Sequence, residues 1–311
     1  MDKLYVRGMV GQCWYNFTEA LVHGLLLRPT PKELLYGRKI KYGNEKLQYI
    51  NTYCRKDIAD IKKPLLIYIH GGSWVSGITE MRNSYIAQWA EKGFFTAAVS
   101  YSYASQRIFP HQLQEVFAAI DFLADNAEKY NLDLNNVVLA GESAGGYFIS
   151  YVASALSDSS SLDSLGIEFK HRQDINLKAL VSICGCFDLH RLSDKTKPQS
   201  KFPDLKTMIT SYLGLDYDKA VALLNSENGY IYSPKVNGNY PPAFLIWGDK
   251  DLLRYETFDF AKELESFNLP YRLYKADGAI GMHAWPIVNL FKKSRECFSE
   301  TYAFVMEQLN K

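Results

Sequence analysis

Residues 137–146 read VVLAGESAGG, and this stretch decides the fold. Val137 to Ala140 close an apolar, partly β-branched run, the pattern of a buried strand. Gly141, Gly145 and Gly146 then crowd small residues into a tight turn, and apolar residues recur at helical spacing from Ala144 to Leu156. A strand thus runs through a glycine turn into a helix, with Ser143 at the corner. The pentapeptide Gly141-Glu142-Ser143-Ala144-Gly145 is a Gly-x-Ser-x-Gly. About one chain in ten of this length carries that pattern by chance, so its meaning depends on partners elsewhere.

The chain has 311 residues, 47% of them hydrophobic, 14% aromatic and 22% charged. That is enough for one large α/β domain with a substantial core, or for two smaller ones. The 35 basic and 34 acidic residues are well mixed and leave a net charge of +1. No basic stripe speaks for nucleic acid or an anionic membrane surface. Residues Met1–Arg7 lack the order of a secretory signal. The apolar run Leu21–Leu27 contains His23 and is too short for a membrane span. Cys13, Cys54, Cys184, Cys186 and Cys297 are odd in number and irregularly spaced, the usage expected of a reduced, cytoplasmic chain. Cys184-Gly185-Cys186 is too tight for a local metal knuckle and no other Cys/His pair has ligand spacing, so no metal site is expected.

Six short apolar runs read as strands: 65–69, 94–101, 137–141, 179–184, 243–248 and 271–276. Helical spacing fills 113–130, 144–156 and 257–267 between them. Continuous apolar strands alternating with helices predict an α/β fold with a mostly parallel central sheet and helices on both faces. Residues 39–55 alternate around Gly43-Asn44 and read as an antiparallel hairpin at the sheet edge. An aromatic-rich amphipathic helix is expected over 11–35, and helical patterns at 204–213 and 217–224 interrupt the strand alternation. Both regions, about 1–37 and 187–240, read as a helical cap on a single domain spanning 1–311. The serine-rich stretch 157–164 reads as a solvated turn.

Four motifs carry chemistry. Acyl transfer needs a serine hydroxyl exposed on a sharp turn with small neighbours, and Gly141, Ser143 and Gly145 meet that need, with Ala144 offering the first N–H of the helix to an oxyanion. After an earlier strand, His70-Gly71-Gly72-Ser73-Trp74 leaves consecutive backbone N–H groups free to face an anion. After the strand at 243–248, Gly248-Asp249-Lys250-Asp251 presents two carboxylates. After the last strand, Met282-His283-Ala284-Trp285 places a histidine in a glycine-rich loop. Trp74 and Trp285 flank two of these motifs and read equally as pocket walls or as core packing. His70 reads as a residue that holds its own turn, His111 as the start of a helix and His171 as part of a polar loop, while His23 and His190 fall in the expected cap as minor candidates for substrate contact.

In order and spacing, with Ser143, Asp251 and His283 separated by 108 and 32 residues, the chain resembles an α/β-hydrolase of the carboxylesterase and hormone-sensitive-lipase-like group. The resemblance covers roughly residue 39 to the C-terminus. It implies Ser143 as nucleophile, Asp251 as acid and His283 as base, with oxyanion donors on Gly71, Gly72, Ser73 and Ala144. The family spacing Gly-x-x-Asp-x-Leu picks Asp251 over Asp249, which reads as a turn residue. Departures exist: Ser73 stands where the family has a third glycine, Glu142 where aspartate is commoner. Ser102 replaces a typical arginine and Glu115 an aspartate, so a structural ion pair is expected to be missing.

The function implied is hydrolysis of short-chain or aryl carboxylic esters through an acyl-enzyme, with no metal or organic cofactor, no nucleic-acid partner and no membrane span. The partner is a small-molecule ester; oligomeric state is not legible. Aromatic residues in the expected cap (Trp14, Tyr15, Phe17, Phe202, Tyr212, Tyr230 and Tyr232) suit such substrates. Two other readings stay open: an arylformamidase or other C–N hydrolase, and a non-catalytic small-molecule-binding member of the fold.

Overall fold

The computed structural model describes residues 30–193 and 205–311. Eight strands form one sheet: β1 Leu34–Lys41, β2 Tyr49–Arg55, β3 Lys63–Ile69, β4 Phe95–Ser100, β5 Leu132–Glu142, β6 Leu177–Ile183, β7 Ala243–Gly248 and β8 Tyr271–Ala276. Their spatial order is β1-β2-β4-β3-β5-β6-β7-β8. β1 and β2 pair antiparallel, as does β2 with β4, and every other neighbour is parallel. The hairpin expected at 39–55 is therefore present at the edge. Its first strand begins at Leu34, however, so residues 34 and 35 belong to the sheet and not to the expected amphipathic helix. Residues 30–33 form coil and a turn, not helix; the rest of that expected helix, 11–29, and Trp14, Tyr15, Phe17, His23 and Phe202, lie outside the described residues.

Parallel strands need helical crossovers, and those helices cover both faces. α1 (Asn83–Glu91) and α10 (Lys292–Leu309) pack on one face; α2 (His111–Asp125), α4 (Ala144–Ser157) and α9 (Arg254–Ser266) pack on the other. A short α3 (Ala127–Tyr130) leads into β5. Side chains of β3 show the alternation that builds two cores. Leu65, Ile67 and Ile69 join the core under α2 and α4, whereas Leu66 and Tyr68 join the core under α1 and α10. Each such fully buried aliphatic side chain contributes about 1.5–3 kcal/mol. Residues 157–164 depart from the solvated turn expected: Ser160–Leu165 form a short helix, α5, because Leu162 is buried and anchors it.

Between β6 and β7 the chain makes a long excursion, described here as α6 (Leu189–Ser193), α7 (Leu205–Leu213) and α8 (Tyr217–Leu224). It sits against α4 through hydroxyls: Tyr147 Oη donates to the Tyr232 carbonyl (2.9 Å), Tyr151 Oη to Ile231 (2.6 Å) and Tyr240 Oη to Ser150 (3.1 Å). At its start, the buried Glu256 carboxylate of α9 accepts the N–H groups of Phe187 (3.1 Å) and Asp188 (3.0 Å). Arg191 on α6 lies 3.7 Å from Glu256, 3.5 Å from Asp188 and 3.6 Å from Glu263.

Burial pushes the Glu256 carboxyl up from 4.5 to about 7, with Arg191 opposing. The folded chain then holds a proton that the unfolded chain has already lost. Stability from this group therefore falls as pH rises from 4.5 to about 7 and is level above. Glu256→Gln carries no such titration. The Tm of wild type relative to this variant is expected to be lower at about pH 8 than at about pH 5, read by thermal denaturation at both. A pH-independent difference contradicts the account.

Candidate active site

Ser143 closes β5 and caps α4 with φ 55° and ψ −120°. A non-glycine residue rarely takes a positive φ, and the turn holds it there from both sides. Its N–H donates to the Ile183 carbonyl (3.1 Å), and its own carbonyl accepts the N–H groups of Gly146 (2.9 Å) and Cys186 (3.0 Å). The side chain stands half-buried at the sheet's C-terminal edge. Gly145 explains why the turn is so small: a Cβ there would lie 2.0 Å from the Ile69 carbonyl oxygen, so only glycine lets α4 approach β3.

The turn after β3 lies directly beside this serine. A Cβ on Gly71 would come within 2.8 Å of Ser143 Cβ and 2.6 Å of the Glu142 carbonyl oxygen. Gly72 has φ +113°, Ser73 +56° and Trp74 +62°, so three consecutive residues turn their backbone in the left-handed sense. Among the described residues, the N–H groups of Gly71, Gly72, Ser73 and Ala144 enter no loop or turn hydrogen bond. His70 braces this turn. Its Nδ1 is 2.7 Å from the Gly71 carbonyl, its ring stacks on Tyr101 at 4.4 Å, and Tyr101 Oη donates to the His70 carbonyl at 2.8 Å.

On the far side, His283 Nδ1 lies 2.7 Å from Asp251 Oδ1, and the same oxygen accepts the Leu253 N–H at 3.0 Å. Asp251 is fully buried and the imidazole is 24% exposed. Of the two aspartates after β7, only Asp251 meets the histidine; Asp249 accepts the Gly278 N–H at 3.1 Å and so holds the base of the histidine loop. Burial pushes the imidazolium pKa down, but the Asp251 charge and hydrogen bond outweigh it, and His283 ends above 6.5. Glu142 adds to the rise and Arg82 opposes it. Burial likewise raises the Asp251 carboxyl, and the His283 partner more than reverses that, leaving it below 3.8.

Beneath Ser143 lies a buried ion pair with no local sequence signal. Glu142 Oε1 accepts Arg82 Nε at 2.6 Å and Oε2 accepts Tyr68 Oη at 2.5 Å, with both charged side chains at most 4% exposed. Removing one partner of such a pair strands a charge in low dielectric. Arg82→Met is expected to lower unfolding free energy by about 3–5 kcal/mol in urea titration, and a loss under about 1 kcal/mol would show the pair to be dispensable.

The Ser102 and Glu115 departures resolve locally. Glu115 accepts the Ser102 N–H (2.6 Å), the Ser102 hydroxyl (2.7 Å) and Gln48 Nε2 (2.9 Å), and His111 Nε2 lies 3.3 Å away. Neutral donors replace the arginine of the family pattern. Trp74 is buried and stacks on Tyr212 of α7 at 4.7 Å, with Tyr147 edge-on at 5.7 Å. Trp285 is buried in the layer under α10, its ring 6.3 Å from Tyr274. His190 contacts Asn225 (2.9 Å), and His171 is held between Asp125 and Asp174.

Local ligand spacing overlooked what tertiary structure assembles. Among the described residues, two trios bring potential metal-ligating atoms within 4.8 Å of one another: Cys184, Asp251 and His283, and Glu45, His111 and Glu115. Both already have other work: the first contains the Asp251–His283 hydrogen bond, the second the Arg107–Glu45 ion pair. The four described cysteines are unpaired, and no helix among the described residues is long and apolar enough to cross a membrane.

The chain is similar to several known proteins. It is 26% identical over 222 residues to Esterase LipC of Mycobacterium tuberculosis, covering 71% of this chain and 52% of that one. It is 24% identical over 194 residues to the isoprenylcysteine alpha-carbonyl methylesterase ICME of Arabidopsis thaliana, covering 60% and 44%. The chain thus spans about half the length of these relatives. Its structure superposes on Esterase B from Lactobacillus rhamnosis with a TM-score of 0.83, at 18% identity, over 99% of this chain and 95% of that one. That likeness establishes the α/β-hydrolase fold. The BD-FAE family model matches residues 52–256, from β2 through the Gly71 turn, Ser143 and Asp251 into α9. With two thirds of its length matched, the chain belongs to the BD-FAE family.

Proposed function

We propose that this chain is a serine esterase that hydrolyses carboxylic esters of short-chain acids or aryl alcohols through an acyl-enzyme. Two observations carry the reading: the 2.7 Å contact between His283 Nδ1 and a fully buried Asp251, and a serine held at φ 55° against the Gly71 turn. Asp251 fixes the Nδ1–H tautomer, which leaves His283 Nε2 as the acceptor for the Ser143 proton. Ser143 Oγ attacks the ester carbonyl, and the N–H groups of Ala144 and of the Gly71–Gly72–Ser73 turn receive the oxyanion. The imidazolium then returns its proton to the leaving alcohol. Water, deprotonated by the same His283, attacks the acyl group and frees Ser143.

Acyl size is read from the aromatic residues beside the oxyanion turn. Trp74, Tyr147, Phe109 and Tyr212 form a cluster with ring centroids 4.7–5.8 Å apart, and this aromatic wall is the feature that favours short acyl chains or aryl groups. The excursion between β6 and β7 supplies Tyr212 and so acts as a cap. Esterase B has been captured with a tributyrin phosphonate, a short-acyl ligand that fits this reading. A series of p-nitrophenyl esters of increasing acyl length, run beside N-formylkynurenine, tests it. Turnover highest for acetate to butyrate supports the proposal; cleavage of N-formylkynurenine alone overturns it.

A further inference from the structure

Glu142 stands one residue before Ser143, at the end of β5, and its carboxylate does more than neutralise a buried arginine. It is shared between two elements at opposite ends of the oxyanion turn. Tyr68 of β3, three residues before Gly71, donates its hydroxyl to Oε2 at 2.5 Å. Arg82, which ends the helical turn Thr79–Arg82 and leads into α1, donates Nε to Oε1 at 2.6 Å. All three side chains are buried. Gly71, Gly72 and Ser73 lie between Tyr68 and Arg82, so one side chain next to the nucleophile grips the chain before and after these donors.

The turn needs such a grip. Gly72, Ser73 and Trp74 hold φ of +113°, +56° and +62°, a run that persists only where the surroundings over-determine it. Within the turn, the Gly72 carbonyl accepts the N–H groups of Val75 (3.1 Å) and Ser76 (2.9 Å). From outside, Tyr101 Oη donates to the His70 carbonyl (2.8 Å), Tyr103 Oη to the Gly77 carbonyl (2.7 Å) and the Ala104 N–H to the Trp74 carbonyl (2.8 Å). Those bonds shape the turn and tie it to the segment after β4. Its placement against Ser143 comes from the pairing of Ile69 with Gly141 and from the Glu142 carboxylate. Oxyanion donors work only within about 3 Å of the developing charge, so a turn that drifts loses transition-state binding before ground-state binding.

We propose that Glu142, through Tyr68 and Arg82, is a positioning residue that sets the Gly71–Gly72–Ser73 donors against Ser143, so that the residue beside the nucleophile aligns both halves of the acyl-transfer site. The assignment rests on the serine-esterase reading. Glu142 is fully buried and acts through the two ends of the turn.

Two variants of the full chain test it while keeping the charges of Glu142 and Arg82, both of which act on His283. Tyr68→Phe removes one hydroxyl and leaves the ring in place. Glu142→Asp keeps the carboxylate but draws it back by one methylene, so that it no longer spans both partners. With p-nitrophenyl acetate, each is expected to lower kcat about tenfold at unchanged KM, inside the roughly hundredfold loss that a misplacement of about 1 Å can bring. Each should also weaken inhibition by an alkyl trifluoromethyl ketone by the same factor. Ser143 Oγ adds to that ketone, its proton passes to His283, and the carbonyl electron pair becomes an oxyanion that needs the donors. Rates are taken per active site, counted by phosphonate titration, so loss of folded protein does not enter; should Glu142→Asp fail to fold, Tyr68→Phe decides alone. Wild-type kcat per site in a folded variant, or a lower kcat with unchanged ketone affinity, would overturn the assignment. Ser143→Ala run alongside separates the two levels. If it stays inactive, those results sink only the role of Glu142; if it hydrolyses ester at the wild-type rate, the esterase reading falls and takes this assignment with it.

Discussion

Ser143→Ala is expected to lower kcat for ester hydrolysis by on the order of 10⁵–10⁶-fold, because no other group can form the acyl-enzyme. The fold should survive the change. Residue 143 is held by backbone contacts to Ile183, Gly146 and Cys186, and alanine keeps all of them. Circular dichroism and Tm close to wild type, with hydrolysis reduced to the background given by the oxyanion donors, is the expected pair of results. A folded variant retaining more than about a tenth of wild-type kcat would place the nucleophile elsewhere.

Asp251→Asn is expected to lower kcat by about 10⁴-fold, since an amide lets the imidazole adopt the wrong tautomer and withdraws the charge that stabilises imidazolium. It should also move the pH profile. The base must be neutral to accept the Ser143 proton, so kcat/KM rises as pH climbs through the pKa of His283. In wild type that limb lies above 6.5, because Asp251 outweighs the burial that would depress it. Without the carboxylate, burial and Arg82 press the pKa down with only Glu142 opposing, and the limb should shift to lower pH. A limb that stays in place would mean that Asp251 does not set the charge of His283.

Much of this was legible in sequence for a simple reason. A parallel strand buried on both faces must be continuously apolar, so the buried parts of β3 to β7 announce themselves as runs, whereas the edge strand β8 is largely exposed and carries Arg272 and Lys275. The candidate site residues also stand after strands: the Gly71 turn after β3, Ser143 after β5, Asp251 after β7 and His283 in the loop after β8. What was not legible depends on pairing across the chain. Arg82 and Glu142 meet 60 residues apart, and Cys184 reaches Asp251 and His283 only because β6 lies beside β7. The short helix at Ser160–Leu165 escaped because one buried leucine in a serine-rich stretch produces no periodicity. At the first strand, two leucines at 34 and 35 fit a helix face as well as a strand, and pairing with Arg55 and Cys54 decided the matter.

Covalent capture tests the central claim most directly. The intact chain, treated with an aryl phosphonate ester and analysed by mass spectrometry with peptide mapping, should carry a single adduct on Ser143. The adduct should be absent from Ser143→Ala and form more slowly in Asp251→Asn. An adduct on any other residue, or undiminished ester hydrolysis by a chain that takes up no phosphonate, would contradict the account.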